Sequence, residues 1–508
     1  MRPRIDAVSF AVDEHIWGHR LYDEQLPHLL ILEFLGVLGS NLQAPLHPAG
    51  PDTVRFKPQR QTRMRALLFN NPYVESIRQR SVSNDEKWRL WTERFAQDCA
   101  ALGEWNLGYL RARFAEFDDF AKAIELLRSS AFEARSNKRW SSKFVFPFGP
   151  DALYEDLRVG NTGASSNDRR FFARGGELLY LMLSRAARGA ELGALLKDRL
   201  FDSTAPMNRL ARALQGEPEL AAQDRPIGYL PYASHPRFDI ICEDWLAILS
   251  RDMPVYDALE HLIANAGLNV LLYFLECAKA EAGDSDPVEI VCEIVSRERT
   301  KVRALSGDSF QSNQGLSMRA VRAAVEKIRL TDEWAQAAES SDPNAAAAGL
   351  MRTWFQWPPA NGSDEDAADS DTGDELVSKL AAAAETRHGE HVGKIHGAWS
   401  RALGLTSRRL SRRTRYAPND KLLKTLVVSV VDDRMQFDDF LALVRERYGL
   451  IVGDVEGARL VKTQQVDQEA LSDNKDKLEA RLVGLGLVRR LSDSCSFVEN
   501  PFAMEVHA

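Results

Sequence analysis

The densest chemistry along this sequence is cationic. From Arg401 to Lys424 the cations are Arg401, Arg408, Arg409, Arg412, Arg413, Arg415, Lys421 and Lys424, and only Asp420 opposes them. A guanidinium offers five N–H donors in a fixed fork and keeps its charge at any physiological pH, so such a run suits phosphate oxygens. Each phosphate neutralised releases counterions, which adds affinity at low salt. A carboxylate surface would also suit the run, and one lies just upstream in Asp364, Glu365, Asp366, Asp369, Asp371, Asp374 and Glu375. The residues alone leave two partners open: a nucleic-acid backbone, or an intramolecular screen that salt weakens. A sparser set of cations follows nearer the C-terminus: Lys475, Lys477, Arg481, Arg489 and Arg490.

Metal-ligating residues gather once. His388, His391 and His396 stand in RHGEHVGKIH, with Glu385 and Glu390 nearby. Imidazoles at 388 and 391 share a helix face, which makes them weak candidates for Zn²⁺. His396 falls off that face, and a closed zinc site needs four ligands, so no metal is assigned. A metal-dependent nuclease would need two acids and a lysine that converge. The fragments on offer are Asp239–Asp244, Glu276–Lys279 and Glu289–Glu293. The last two sit in helix-like surroundings, and E-x-x-K lacks the alternation that E-x-K has on a strand. Gly389–Lys394 is one residue short of a phosphate-binding P-loop. There is no G-x-G-x-x-G, no G-x-S-x-G elbow and no H-E-x-x-H. No catalytic residue is assigned and no cofactor is expected. Trp354, Phe355 and Trp357 could stack on bases, but beside Pro358 and Pro359 a core anchor is the favoured reading.

These residues need elements to hold them. Asp85–Leu102, Glu177–Arg188, Tyr256–Ala282 and Ser317–Ala338 place apolar residues three and four apart, the period of amphipathic helices. Short β-like runs occur at Thr53–Lys57 and Lys143–Phe148, too few for an α/β alternation. The expected fold class is therefore mainly α: a large multi-helical N-terminal region with minor β, followed by a C-terminal winged-helix domain. The expected boundaries are 1–360 for the helical region, with a subdivision near 225–237. An acidic disordered linker would follow over 361–376, then a basic helical segment over 377–420 and a winged-helix-like domain over 421–508. The linker reading rests on like charge among Gly, Ser and Ala.

The 508 residues leave room for several domains, and 44% hydrophobic with 27% charged content is that of a globular protein. The net charge of −8 gives no global basic character, so local charge matters more than the total. Five scattered cysteines without CxxC spacing fit a reducing cytoplasm. The longest apolar runs, Leu26–Leu38 and Ala266–Leu275, are too short to span a bilayer, so no membrane partner is expected.

The C-terminal residues carry the clearest local signals. Lys421–Val431 reads as one helix. Phe437–Tyr448 reads as a second, stopped by Gly449, and Ser472–Leu485 as a third, with Ser472 at its N-cap. Gly486–Leu491 and Cys495–Glu499 then read as a β-hairpin turning at Ser492–Ser494. Three helices and a hairpin are the order of a winged helix, whose third helix can enter the major groove. On that model Asn474, Lys475, Lys477 and Arg481 are exposed on the third helix, and Arg489 and Arg490 lie on the wing. Asp473, Asp476 and Glu479 weaken a phosphate-facing reading, and a subunit-docking role is the competing one.

The stretch NKDKLEARLVGLGLVRRLSDSCSFVENPF resembles the winged-helix ends of accessory proteins from bacterial anti-phage defence operons. These operons are built around DNA modification, of the methylation-associated or phosphorothioation-dependent type. The resemblance covers about the last ninety residues. It implies a non-catalytic subunit working beside an ATPase, methyltransferase or nuclease encoded nearby. Joined to the reading of Arg408, Arg409, Arg412, Arg413 and Arg415 as phosphate-binding, the expected function is a DNA-engaging and assembly subunit with double-stranded DNA as a partner. The alternatives are a pure protein-interaction scaffold, or a metal-dependent nuclease with an unrecognised site.

Overall fold

The computed structural model describes residues 5–503 apart from 19–24, 48–53, 58–59, 62–66, 69–70, 99–105, 130–148, 153–154, 160–164, 168–174, 216–224, 228–229, 231, 296–299, 356, 358–370, 411 and 493–494. The fold is mainly α with short strands. The chain divides into two compact units: His28–Gly228, and Met1–Pro27 together with Tyr229–Ala508. The expected strand at 143–148 and most of the acidic tract lie outside the described residues.

In the unit His28–Gly228, helices Asn84–Asp98 and Phe117–Ser129 meet through Trp88, Trp91, Phe95, Phe117 and Phe120. Trp91 is fully buried, and its indole Nε1 donates to Asn71 Oδ1 at 2.9 Å, so the polar tip of the ring is satisfied inside the core. Arg55–Phe56, within the expected strand at 53–57, pairs antiparallel with Arg225–Pro226. Glu155–Val159 pairs antiparallel with Ser165–Asn167.

The second unit is built on helices α1 (Ile5–Trp17), α2 (Pro236–Leu249), α3 (Val255–Glu281), α4 (Lys301–Lys327), α5 (Gly373–Glu390) and α6 (Ile395–Ala402). Local signals explain their starts. Pro236 sits in the first turn of α2, where its missing N–H costs nothing, and His235 Nδ1 accepts from Arg237 N at 3.1 Å. Thr372 and Glu375 form a reciprocal capping box on α5, so Asp374 and Glu375 form the first turn of that helix. Helix α3 is buried on nearly every face. Among the described residues it is the one helix long and apolar enough to cross a membrane. It also buries Asn265 and Asn269, both hydrogen-bonded to Asp244 of α2, as a core helix can.

Helix α4 begins sixteen residues before the expected Ser317. Its first half, rich in Ser, Gly and Asn, hides the helical period, and Ser306 and Asn313 are buried there as hydrogen-bond donors. Phe355 and Trp357 are buried and Trp354 is partly buried, as the core reading expected.

The C-terminal elements are α7 (Asp420–Val430), α8 (Phe437–Tyr448) and α9 (Gln468–Gly484), with strands β1 (Ile290–Val291), β2 (Thr406–Ser407), β3 (Arg415–Tyr416), β4 (Arg434–Gln436), β5 (Leu450–Ile451), β6 (Val488–Ser492) and β7 (Cys495–Glu499). Helix α8 has the expected bounds and ends at Gly449 in the left-handed region, φ +69°. A Cβ there would lie 2.2 Å from the Val288 carbonyl oxygen, so glycine permits the approach that lets β5 pair in parallel with β1.

Helix α9 starts at Gln468, four residues before the expected Ser472, because Leu471 is buried and extends the apolar stripe one turn upstream. The strand β4 was not anticipated, and it adds a third strand beside the hairpin in the order β6-β7-β4. The order is thus helix, strand, helix, strand, a short helix at Ala458–Lys462, helix and hairpin. All of it lies in the same compact unit as α1–α6.

Asn474 corrects a reading of the third helix. It is buried rather than exposed: Oδ1 accepts from Ile294 N at 2.8 Å, and Nδ2 donates to the Cys292 and Val452 carbonyls at 2.9 Å each. Replacing Asn474 by Ala leaves three buried backbone groups without this partner. It should lower stability by about 2–4 kcal/mol, read as a shift of the urea midpoint. A shift below about 0.5 kcal/mol would show that α9 is not docked through this side chain.

Candidate nucleic-acid interface

The arginine run folds into a hairpin. Strands β2 and β3 pair antiparallel, Thr406 opposite Tyr416 and Ser407 opposite Arg415, and the described residues 408–410 and 412–414 lie in the connection between them. Arg408, Arg409, Arg412 and Arg413 are exposed on it. Arg413 lies 3.5 Å from Asp308 Oδ1, with both side chains mostly in water. Leu410 sits among these arginines, 57% exposed, with φ +59°. The hairpin is entered through Gly404, φ +75°, where a Cβ would meet the side chain of Asn419, the residue that caps α7.

Arg415 does not belong to the exposed set. It is 1% exposed, and its Nε donates to Glu293 Oε2, a carboxylate equally buried. Glu293 Oε1 accepts from Arg303 Nε at 2.7 Å. Arg415 Nη2 donates to the Arg409 carbonyl at 2.8 Å. Arg409 N donates to Ser407 Oγ at 3.0 Å, and Arg408 Nε to Thr414 Oγ1 at 2.7 Å. One arginine of the sequence run thus holds the loop from inside while four project from it. Sequence reasoning missed this division because Glu293 lies 122 residues from Arg415 in the chain.

Beneath the hairpin, the Tyr416 carbonyl accepts from Glu293 N at 3.0 Å and from Ser306 Oγ at 2.7 Å. The Tyr416 hydroxyl meets His396 Nε2 at 2.7 Å and accepts from Asn313 Nδ2 at 3.0 Å. Burial pushes the Tyr416 hydroxyl pKa well up and the His396 imidazole down to about 3.

The remaining cations are placed differently. On α9, Lys475 pairs with Asp438 at 2.5 Å, and Arg481 Nε donates to Asp420 Oδ1 at 2.7 Å while Nη1 donates to the Pro418 carbonyl at 3.1 Å. Lys477 is partly buried. On the hairpin, Arg489 is exposed, and Arg490 Nη2 donates to Glu479 Oε2 at 2.8 Å. That hydrogen bond holds the Glu479 carboxyl below its ordinary pKa. Lys475 and Arg481, read as exposed, are thus engaged with acids of the same unit. Val483, Leu485 and Leu491 are exposed beside them.

His388 and His391 do not converge on a metal position. His388 is 1% exposed; its Nδ1 pairs with Asp13 Oδ1 at 3.2 Å, its Nε2 with Ser317 Oγ at 2.9 Å, and Trp17 stacks on the ring. His391 follows at the C-cap of α5. Among the described residues no three His, Cys, Asp or Glu side chains come together as a metal would require. The nuclease fragments are tied up in pairs: Asp244 with Arg447 and Tyr448, Glu276 with Arg237, Glu289 with Arg459 and Glu293 with Arg303 and Arg415.

The hairpin and the C-terminal helices coincide with a family likeness. Residues 399–498 match the family model of the methylation-associated defense system protein MAD7. The matched stretch starts in α6, takes in the arginine hairpin and ends in β7. The likeness drawn from the C-terminal stretch therefore falls in the region where the match lies, and the match supports a protein of a methylation-associated defence system. No curated protein and no solved structure matches the chain significantly.

Two outcomes follow for the hairpin. Glu293→Ala removes the shared carboxylate from two guanidinium groups, Arg415 fully buried and Arg303 nearly so, and should cost about 3–5 kcal/mol. Asp308→Ala removes only an exposed partner of Arg413 and should cost about 0–1 kcal/mol. Equal costs in urea unfolding would contradict the division between anchor and surface.

A second outcome concerns pH. Unfolded histidine takes a proton near pH 6.5, but buried His396 does not until about pH 3. Its contribution to stability is therefore complete above about pH 6.5 and is lost as the pH falls toward 3. The stability difference between wild type and His396→Gln should shrink by about 2 kcal/mol between pH 7 and pH 5. A difference that stays constant over that range would refute the neutral buried state.

Proposed function

We propose that this chain is a non-catalytic, DNA-engaging and assembly subunit of a bacterial methylation-associated defence complex. It would work in the cytoplasm beside an ATPase, methyltransferase or nuclease. The observation that carries the reading is the hairpin loop within the matched residues, which exposes Arg408, Arg409, Arg412 and Arg413 on a base pinned by Arg415 and Glu293. Four guanidinium groups on a fixed loop suit phosphates of a duplex, whose charge density rewards counterion release without regard to sequence.

The C-terminal elements take a different part in this reading. Their helices and hairpin are compatible with the winged-helix reading, but α9 spends Asn474, Lys475 and Arg481 on partners within the unit. A helix so engaged is poorly suited to base readout. The exposed Val483, Leu485 and Leu491 favour a protein partner at the hairpin end of this module. DNA would be held by the arginine loop and a partner subunit docked by the wing.

The test is fluorescence anisotropy with a short duplex across a salt series. Wild-type affinity should fall steeply with salt. The fourfold variant Arg408→Ala, Arg409→Ala, Arg412→Ala, Arg413→Ala should flatten the log–log salt slope by about 3–4, with similar loss on unrelated sequences. Arg415 is left in place because it holds the loop. An unchanged slope in the variant, or no binding by wild type at low salt, would move the reading to a pure interaction scaffold.

A further inference from the structure

The arginine loop carries one residue that phosphate binding does not use. Leu410 lies between Arg409 and the pair Arg412 and Arg413, with more than half of its surface in water. Its backbone is left-handed, φ +59°, a region that side chains other than those of Gly, Asn and Asp seldom occupy. Such strain persists only where neighbouring structure enforces it, and it gathers at functional positions. Here the enforcement is visible: Arg415 holds the Arg409 carbonyl from the interior, and Ser407 Oγ holds the Arg409 N–H. The structure therefore keeps a branched apolar side chain in water at high local positive charge.

We propose that Leu410 is an apolar wedge that enters the minor groove of duplex DNA and partly unstacks one base step, while the flanking arginines hold the phosphates on either side. The proposal rests on the reading of this loop as a DNA interface. Three features favour the minor groove. The projecting element is a loop tip, which suits a groove about 6 Å wide that would not admit a helix. The narrow groove attracts arginine through its enhanced negative potential. Leucine between base steps, with cations alongside, is a physically sound way to bend a duplex, because the bend brings more phosphate onto the protein. Among the described residues, other exposed large apolar side chains lack this setting. Leu330 and Val455 are not flanked by a run of exposed arginines, and next to Leu491 the Arg490 side chain is turned to Glu479.

The test uses the full chain and a duplex carrying a fluorescent adenine analogue in an A·T-rich centre, with donor and acceptor dyes at its ends. Wild-type protein should raise the analogue's fluorescence as the step unstacks and should shorten the end-to-end distance. Leu410→Gly is the informative variant because glycine accepts the left-handed backbone and leaves the loop intact. It should keep the wild-type salt slope, bind roughly tenfold more weakly and lose both the fluorescence rise and the bend. Leu410→Ala should do the same, and a minor-groove-filling polyamide should compete with wild type. Steep salt-dependent binding by wild type without unstacking or bending would overturn the wedge and leave the DNA reading standing. So would a Leu410→Gly protein that bends DNA as wild type does. Absence of salt-dependent binding by wild type would remove both.

Discussion

A carboxylate buried to 1% exposure must be neutralised, and Glu293 is neutralised by two arginines that come from different parts of the chain. Much of the second unit is arranged around that requirement. Arg303 comes from the first turn of α4 and Arg415 from β3, so the pairing sets the hairpin against α4. The same short segment performs two further tasks. Ile290 and Val291 pair with β5, and Cys292 and Ile294 are bound by Asn474 of α9. Five consecutive residues thus hold the arginine loop, the second strand partner and the third helix in one relation.

A second polar centre backs this one. Asp244, fully buried on α2, accepts from Asn265, Asn269, Arg447 and Tyr448. Arg251 reaches the Val431 and Asp432 carbonyls. Buried polar groups of this kind cost more when left unpaired than they return when satisfied, so they specify one arrangement of helices over its alternatives. Apolar packing would tolerate some sliding of α7 and α8 over α2 and α3. These bonds do not. The C-terminal elements are consequently built into the unit, and the exposed arginines inherit a rigid mount.

What the sequence made legible was local. Phe437–Tyr448 and its stop at Gly449 were read correctly because apolar spacing and a C-terminal glycine are signals within a dozen residues. The hairpin of β6 and β7 was legible for the same reason. The strand β4 was not, since three residues carry no period. The first half of α4 was hidden by Ser306 and Asn313, whose polarity serves distant partners. In the candidate site, composition identified the cationic run but could not sort it. Arg415 looks like its neighbours until Glu293 is placed beside it. Asn474 looks solvent-exposed until a backbone segment 180 residues away arrives to use it. Such misreadings share one cause: a polar residue committed to a distant buried partner has the same letter as one that meets water.

The discontinuous second unit also has a consequence in time. Helix α1 is synthesised before the unit His28–Gly228, yet Trp17 donates to the Phe274 carbonyl and Asp13 meets His388 of α5. The intervening unit, His28–Gly228, can close on itself while α1 waits for partners several hundred residues downstream. At roughly 5–20 residues per second, synthesis leaves that apolar helix without its native neighbours for tens of seconds. Protection of α1 during that delay is a demand that falls on the cell's folding machinery rather than on the finished molecule.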